Sequence, residues 1–171
     1  MLLLMVGAKG GVGLTSVAHH LLRLEDGVAV DVADGQLAAR LDRPVWTLNR
    51  PAFASPGKRR RMVDQVTQRR VSLLWTPECV LAREQVWGFV RQVADRTLVV
   101  VDGDVAPLSD LDGLADRVAI ISAPGEIAHY HQRRLLQRYP QAWVREIDLA
   151  AGRSETKQAA QSLAAQIGSK T

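Results

Sequence analysis

Gly7-Ala8-Lys9-Gly10-Gly11-Val12-Gly13-Leu14-Thr15-Ser16, the stretch GAKGGVGLTS, decides how the rest of the chain is read. Before it, Leu2–Val6 is a continuous apolar run ending at a glycine, which predicts a strand covered on both faces. After it, Val17, Ala18, Leu21, Leu22 and Leu24 recur at helical spacing through Thr15–Leu24, and Gly27 stands where the helix should stop. Val28–Val32 is a second apolar run. Strand, glycine loop, helix and strand make one βαβ unit.

A nucleotide phosphate asks for inward-pointing backbone N–H groups, the positive end of a helix, a cation on the bridging oxygens and a hydroxyl for magnesium. Gly10, Gly11 and Gly13 let the backbone wrap closely around an anion, because a Cβ would obstruct the approach or the angles required. Thr15, in the first turn of the predicted helix, offers its hydroxyl to Mg²⁺. The cation is missing, since Leu14 occupies the place where a phosphate loop carries its lysine. The strand before and the helix after are the context that makes a glycine-rich stretch a phosphate loop.

Further along, Val71–Trp75, Leu98–Val101, Val118–Ser122 and Ala142–Leu149 read as strands. Glu84–Ala94, Glu126–Tyr139 and Ser154–Ile167 read as helices. This alternation predicts a three-layer α/β fold, P-loop NTPase-like, with a mostly parallel sheet flanked by helices. At 171 residues the chain suits one domain, residues 1–171. Pro44–Gly57, with its prolines, Asn49 and Ser55, is expected to be an exposed excursion. It leads into a short helix, Arg59–Gln68, whose Met62, Val63 and Val66 face the sheet.

One cysteine, Cys79, excludes an internal disulfide framework and a multi-cysteine metal site within one chain, and favours the cytoplasm. It reads as a small packed residue rather than a nucleophile, having no basic neighbour to activate it. MLLLMVG is far shorter than the ~20 residues that span a bilayer and lacks a basic leader, so it is a buried strand. The terminal segment is alanine-rich and packs on the sheet rather than on a membrane.

A net charge of +4 and a pI near 9.7 permit an acidic partner. Lys58, Arg59, Arg60, Arg61, Arg69 and Arg70 set six positive charges against Asp64, a candidate grip for DNA phosphates or simply a solvated helix face. The same two alternatives hold for Arg133, Arg134 and Arg138. His19, His20, His129 and His131 lack the spacing of a metal pair. Trp46, Trp75, Trp87 and Trp143 are scattered, as packing residues are.

The wording Lys9-Gly10-Gly11-Val12-Gly13-Leu14-Thr15-Ser16 resembles the deviant Walker A motif of the ParA/MinD family, KGGxGK[ST][ST], and matches it everywhere except Leu14. The resemblance extends along the chain. Val28–Gln36 is similar to the family's VLLIDxDxQ segment; with Asp34 one position late, Asp31 is the firmer match. Leu98–Val101 with Asp102 looks like the Walker B strand, followed by Gly103-Asp104-Val105-Ala106-Pro107. Ala115–Glu126 is similar to the family's "AD.vi.v..P.e.a" strand and loop. The asparagine-bearing adenine loop has no counterpart, since Val144–Leu149 carries Arg145, Glu146 and Asp148 instead.

The resemblance implies ATP or ADP with Mg²⁺ as ligands, held by Lys9, Gly10, Gly11, Val12, Gly13, Leu14, Thr15 and Ser16. It places Thr15, Asp31 and Asp102 near the metal, partly through water. If the chain is active, it makes Lys9 and Asp31 catalytic, and it gives Lys9 the further task of reaching a partner's phosphates across a nucleotide-sandwich homodimer. Losing the lysine at Leu14 removes charge-assisted hydrogen bonds worth roughly 1.5–3 kcal/mol each, so nucleotide affinity should fall by about tenfold to a hundredfold. Phosphoryl transfer relies on positioning and charge, so hydrolysis should be slow or absent. The implied role is that of a degenerate, cytoplasmic positioning, partitioning or assembly-regulating protein with a partner protein still to be identified. The alternatives are a slow ATPase and a nucleotide-free module that binds protein or DNA.

Overall fold

The computed structural model describes residues 1–32, 35–48, 56–75, 83–103 and 113–168. Along the chain run β1 (Leu2–Gly7), α1 (Leu14–Leu24), β2 (Val28–Asp31), α2 (Gln36–Leu41), β3 (Val45–Thr47), α3 (Pro56–Arg69) and β4 (Ser72–Leu74). Then come α4 (Arg83–Ala94), β5 (Val99–Gly103), β6 (Arg117–Ser122), α5 (Glu126–Arg138), β7 (Trp143–Glu146) and α6 (Arg153–Gly168). The strands form one sheet in the order β3-β4-β2-β5-β1-β6-β7, and every pairing is parallel. The predicted three-layer α/β architecture is the one observed.

β1 explains why a continuous apolar run was the right signal. Its alternate residues Leu2, Leu4 and Val6 enter a core with Val63, Val66, Phe89, Val90 and Leu135 from α3, α4 and α5. Leu3 and Met5 enter the opposite core with Val17, Leu21, Leu22, Ala160 and Leu163 from α1 and α6. A strand buried on both faces has no polar positions to alternate with. From β1 the chain builds β2, β4 and β3 on one side, returns through β5, and crosses to β6 and β7 on the other. The order therefore reverses beside β1, which opens a crevice at the C-terminal strand ends, where the glycine loop lies.

The segment expected to be an irregular excursion from Pro44 contains an edge strand. Val45–Thr47 pairs in parallel with Ser72–Leu74, and a three-residue strand is too short to show a period. Helix α2 also escaped prediction. The helix expected at Arg59–Gln68 begins earlier, at Pro56, a residue suited to a first helical turn. Ala142–Leu149 is not one strand: β7 ends at Glu146, and Leu149–Ala151 forms a tight 3₁₀ turn whose Ala150 N–H donates to the Asp148 side chain. Val63 and Val66 are buried with Met62 against them, Leu24 is exposed, and the four tryptophans pack against the two cores. Asn49, Ser55, Cys79, Ala33, Asp34 and Asp104–Pro107 lie outside the described residues.

The start of β1 is fixed by Asp116, just ahead of β6. Its carboxylate accepts the Leu2 N–H at 2.7 Å and an Arg91 Nη1–H at 2.7 Å, and Arg91 also donates to the Leu114 carbonyl. Burial pushes this carboxyl up, but the Leu2 N–H and the Arg91 guanidinium outweigh it and hold the group below its ordinary value. A depressed carboxyl stabilises the fold above its unfolded value, ~3.9, and that stability is lost as pH falls through the folded value. The pair is about a third exposed, so water screens it. Asp116→Asn should cost about 1 kcal/mol at pH 7, and urea titrations should show the gap from wild type narrowing as pH falls below ~3.9.

Candidate functional site

The glycine loop encloses a cavity of about 500 Å³ lined by Gly7, residues Lys9 through Ser16, Gln36, Arg40, Asp102 and Leu149. Its geometry comes from two glycines. Gly11 has φ +75° and Gly13 φ +84°, the left-handed region that a side chain strains to enter. Gly13 caps α1 in that conformation, and its carbonyl accepts the Val17 N–H at 3.0 Å. A Cβ on Gly13 would stand 3.2 Å from Leu149 Cδ2 and 3.4 Å from Thr156 Cγ2. Gly10 differs: its φ is ordinary and a Cβ there would meet nothing within 4 Å. The loop is anchored by the Ala8 N–H, which donates to the Ile121 carbonyl of β6 at 2.7 Å.

Thr15, in the first turn of α1, and Asp102, near the end of β5, line the same cavity, as a hydroxyl and a carboxylate sharing a hydrated metal should. Lys9 stands exposed at the rim. Leu14 lines the cavity too, while resting against the α1/α6 core. The residues present fit a phosphate and Mg²⁺ in their N–H nest, hydroxyl and carboxylate, and lack the cation at position 14.

Asp31 is the β2 neighbour of Asp102. It is buried at the end of β2, in register with Asp102. Its carboxylate accepts backbone N–H groups of Leu37 at 2.9 Å and of Gly35 and Ala38 at 3.3 Å, which caps the start of α2. Asp102 is part of the cavity lining and Asp31 is not.

Sequence reasoning missed Arg40. Helix α2 turns Leu37 and Ala38 inward and carries Gln36 and Arg40, one helical turn apart, to the cavity. Arg40 Nη1 donates to Ser16 Oγ at 2.8 Å. The signal was the i, i+4 polar pair flanking Leu37 and Ala38, hidden in a helix of one and a half turns. Leu149 was also missed: it stands half-exposed at the cavity in the turn after β7.

The basic segment forms a separate surface on α3. Lys58, Arg60, Arg61 and Arg69 are exposed and Arg59 is half-buried. Arg70 pairs with Asp26 at 2.6 Å, and Asp64 on the same helix takes Arg96 at 2.6 Å. On α5, Arg133, Arg134 and Arg138 are exposed, and Arg134 lies over the Tyr130 ring. His129 pairs with Glu146. Burial, then His20, Arg23 and Arg40, keep His19 below its ordinary value.

Sheet order, glycine loop and strand-end carboxylate together define a P-loop NTPase-like α/β fold. Among solved structures, a ParA family ATPase from Chlorobium tepidum TLS superposes with a TM-score of 0.63 at 17% identity, over 85% of this chain and 72% of that one. The signal recognition particle receptor FtsY from Elizabethkingia anophelis superposes with a TM-score of 0.50 at 16% identity, over 94% of this chain and 54% of that one. Likeness at such identities concerns the fold. No protein-family model matches the chain, and no curated protein matches it in sequence. No helix among the described residues is long and apolar enough to cross a membrane.

Proposed function

We propose that this chain is a ParA/MinD-like nucleotide-binding protein with weak or absent ATP hydrolysis. In this reading it acts in the cytoplasm in positioning, partitioning or assembly regulation, as a homodimer that engages a partner protein. The observation that carries it is a glycine nest opening on a cavity shared by Thr15 and Asp102, with Leu14 in the place of the lysine. A nest of that shape with a metal-binding hydroxyl and carboxylate supports ATP or ADP with Mg²⁺ as ligand. The absent lysine supports a ligand that stabilises a state rather than one turned over quickly. Thr15 and Asp102 would hold the metal, and Lys9, exposed at the rim, would reach a second subunit's phosphates.

Calorimetric titration with ATP and Mg²⁺, paired with sizing in the presence and absence of nucleotide, tests the proposal. Binding with a shift to dimer supports it; no binding at millimolar nucleotide overturns it. Leu14→Lys should tighten ATP binding about tenfold, the worth of one added charge-assisted contact of roughly 1.5 kcal/mol.

Two further readings have observations of their own. Thr15 and Asp102 together favour a slow ATPase, for which phosphate release would disappear in Asp102→Ala. The exposed cations of α3 favour a surface for nonspecific DNA, whose affinity would fall steeply with salt.

A further inference from the structure

Leu14 removes the lysine that a phosphate loop carries at this position, yet the cavity is not without positive charge. Its lining holds two cationic side chains, Lys9 and Arg40. Lys9 belongs to the loop. Arg40 arrives from another element, across the crevice on α2, and its Nη1–H is directed at the Oγ of Ser16 at the start of α1, with 2.8 Å between the heavy atoms. A guanidinium has donors to spare beyond that one bond, and its planar fork suits phosphate oxygens. The helix that presents it is itself fixed, because the buried Asp31 carboxylate accepts the N–H groups at its start. The cation is therefore held in position before any ligand arrives.

Building on the nucleotide-binding reading, we propose that Arg40 is the phosphate-binding cation of this site, supplied from α2 in place of the lysine that Leu14 displaces. One consequence separates this cradle from one carrying its cation on the loop: ligand contact here joins α1 to α2, so binding should tie α2 to the glycine loop. The substrate class is a polyphosphate with Mg²⁺. Arg40 contacts the ligand and draws it in by charge, and the hydrogen bond to Ser16 keeps the guanidinium facing the cavity.

The test is titration calorimetry with Mg·ATP and Mg·ADP on the full chain, for wild type, Arg40→Ala, Arg40→Gln and Arg23→Ala. Arg40 is exposed, so its substitution should leave the melting temperature close to wild type, which circular dichroism checks. Arg40→Ala should weaken Mg·ATP at least tenfold. Arg40→Gln should weaken it equally, because glutamine keeps a hydrogen-bond donor and loses the charge; a purely structural tether to Ser16 would be spared. Arg23→Ala, which removes an exposed cation of α1 outside the cavity, should stay within twofold. Leu14→Lys should restore most of the affinity lost in Arg40→Ala. If wild type binds and Arg40→Ala binds within twofold of it, the proposal fails while the nucleotide reading stands. If wild type binds neither nucleotide at millimolar concentration, both fall.

Discussion

Asp31→Ala is expected to lower the unfolding free energy of the ligand-free chain by about 2–4 kcal/mol, since hydrogen bonds to a charged group are worth roughly 1.5–3 kcal/mol and lost helix caps about 1. The carboxylate is buried at the end of β2 and accepts N–H groups from Gly35, Leu37 and Ala38. Those donors belong to the first turn of a six-residue helix, which has no second turn to spare. Without the carboxylate the buried N–H groups lose their acceptor, and the negative charge that favours a helix start goes with it. Asp31→Asn should cost about half as much, because it keeps an acceptor oxygen and loses the charge. Urea unfolding without nucleotide or metal measures this directly. If Asp31 served the metal alone, the ligand-free protein would be indifferent to its removal, and stability within about 0.5 kcal/mol of wild type would sink the structural role given to it here.

The same residue illustrates what a sequence discloses. Asp31 ends an apolar run, and a strand-end carboxylate near a glycine loop invites assignment to the metal. Sequence spacing gives no direction for its side chain, and the structure turns it toward α2. Asp102 ends a similar run, and there the carboxylate does line the cavity. The two stand side by side in register on β2 and β5, so the difference arises beyond the strands: the helix that follows β2 is short, and its first N–H groups need an acceptor.

Elements that bury many residues were legible: β1, β5 and β6 feed both cores, and α1 lays one long apolar face into the core it shares with α6. Those that were not legible are short. β3 is an edge strand of three residues whose Val45 is exposed, and the six-residue α2 buries only Leu37 and Ala38. Arg40 could not be seen as part of the site because its place depends on this helix. Leu149 was hidden for a related reason, as the strand expected through it ends at Glu146 and turns.

Gly13 should be the position in the loop least tolerant of change. Gly13→Val is expected to destabilise the fold by about 2–4 kcal/mol: left-handed backbone costs a side chain roughly 1–2 kcal/mol, and overpacking adds about 1–3. The neighbours responsible are Leu149 Cδ2 at 3.2 Å and Thr156 Cγ2 at 3.4 Å from the new Cβ. Thr156 is buried in α6, which packs on α1, so it yields little room, whereas half-exposed Leu149 can swing aside. Gly13→Ala should therefore cost less, about 1–2 kcal/mol, nearly all of it from the backbone. Gly10→Ala is the contrast, with ordinary φ and open space around its Cβ, and should change stability by less than about 0.5 kcal/mol. Because Gly13 both caps α1 and lines the cavity, relief of its strain should shift the backbone that surrounds the cavity. Both Gly13 variants should then lose Mg·ATP binding beyond what their stability alone explains, measured under conditions where more than about nine-tenths of each remains folded. Normal affinity in a folded Gly13→Val would show that the nest is not what holds the phosphates.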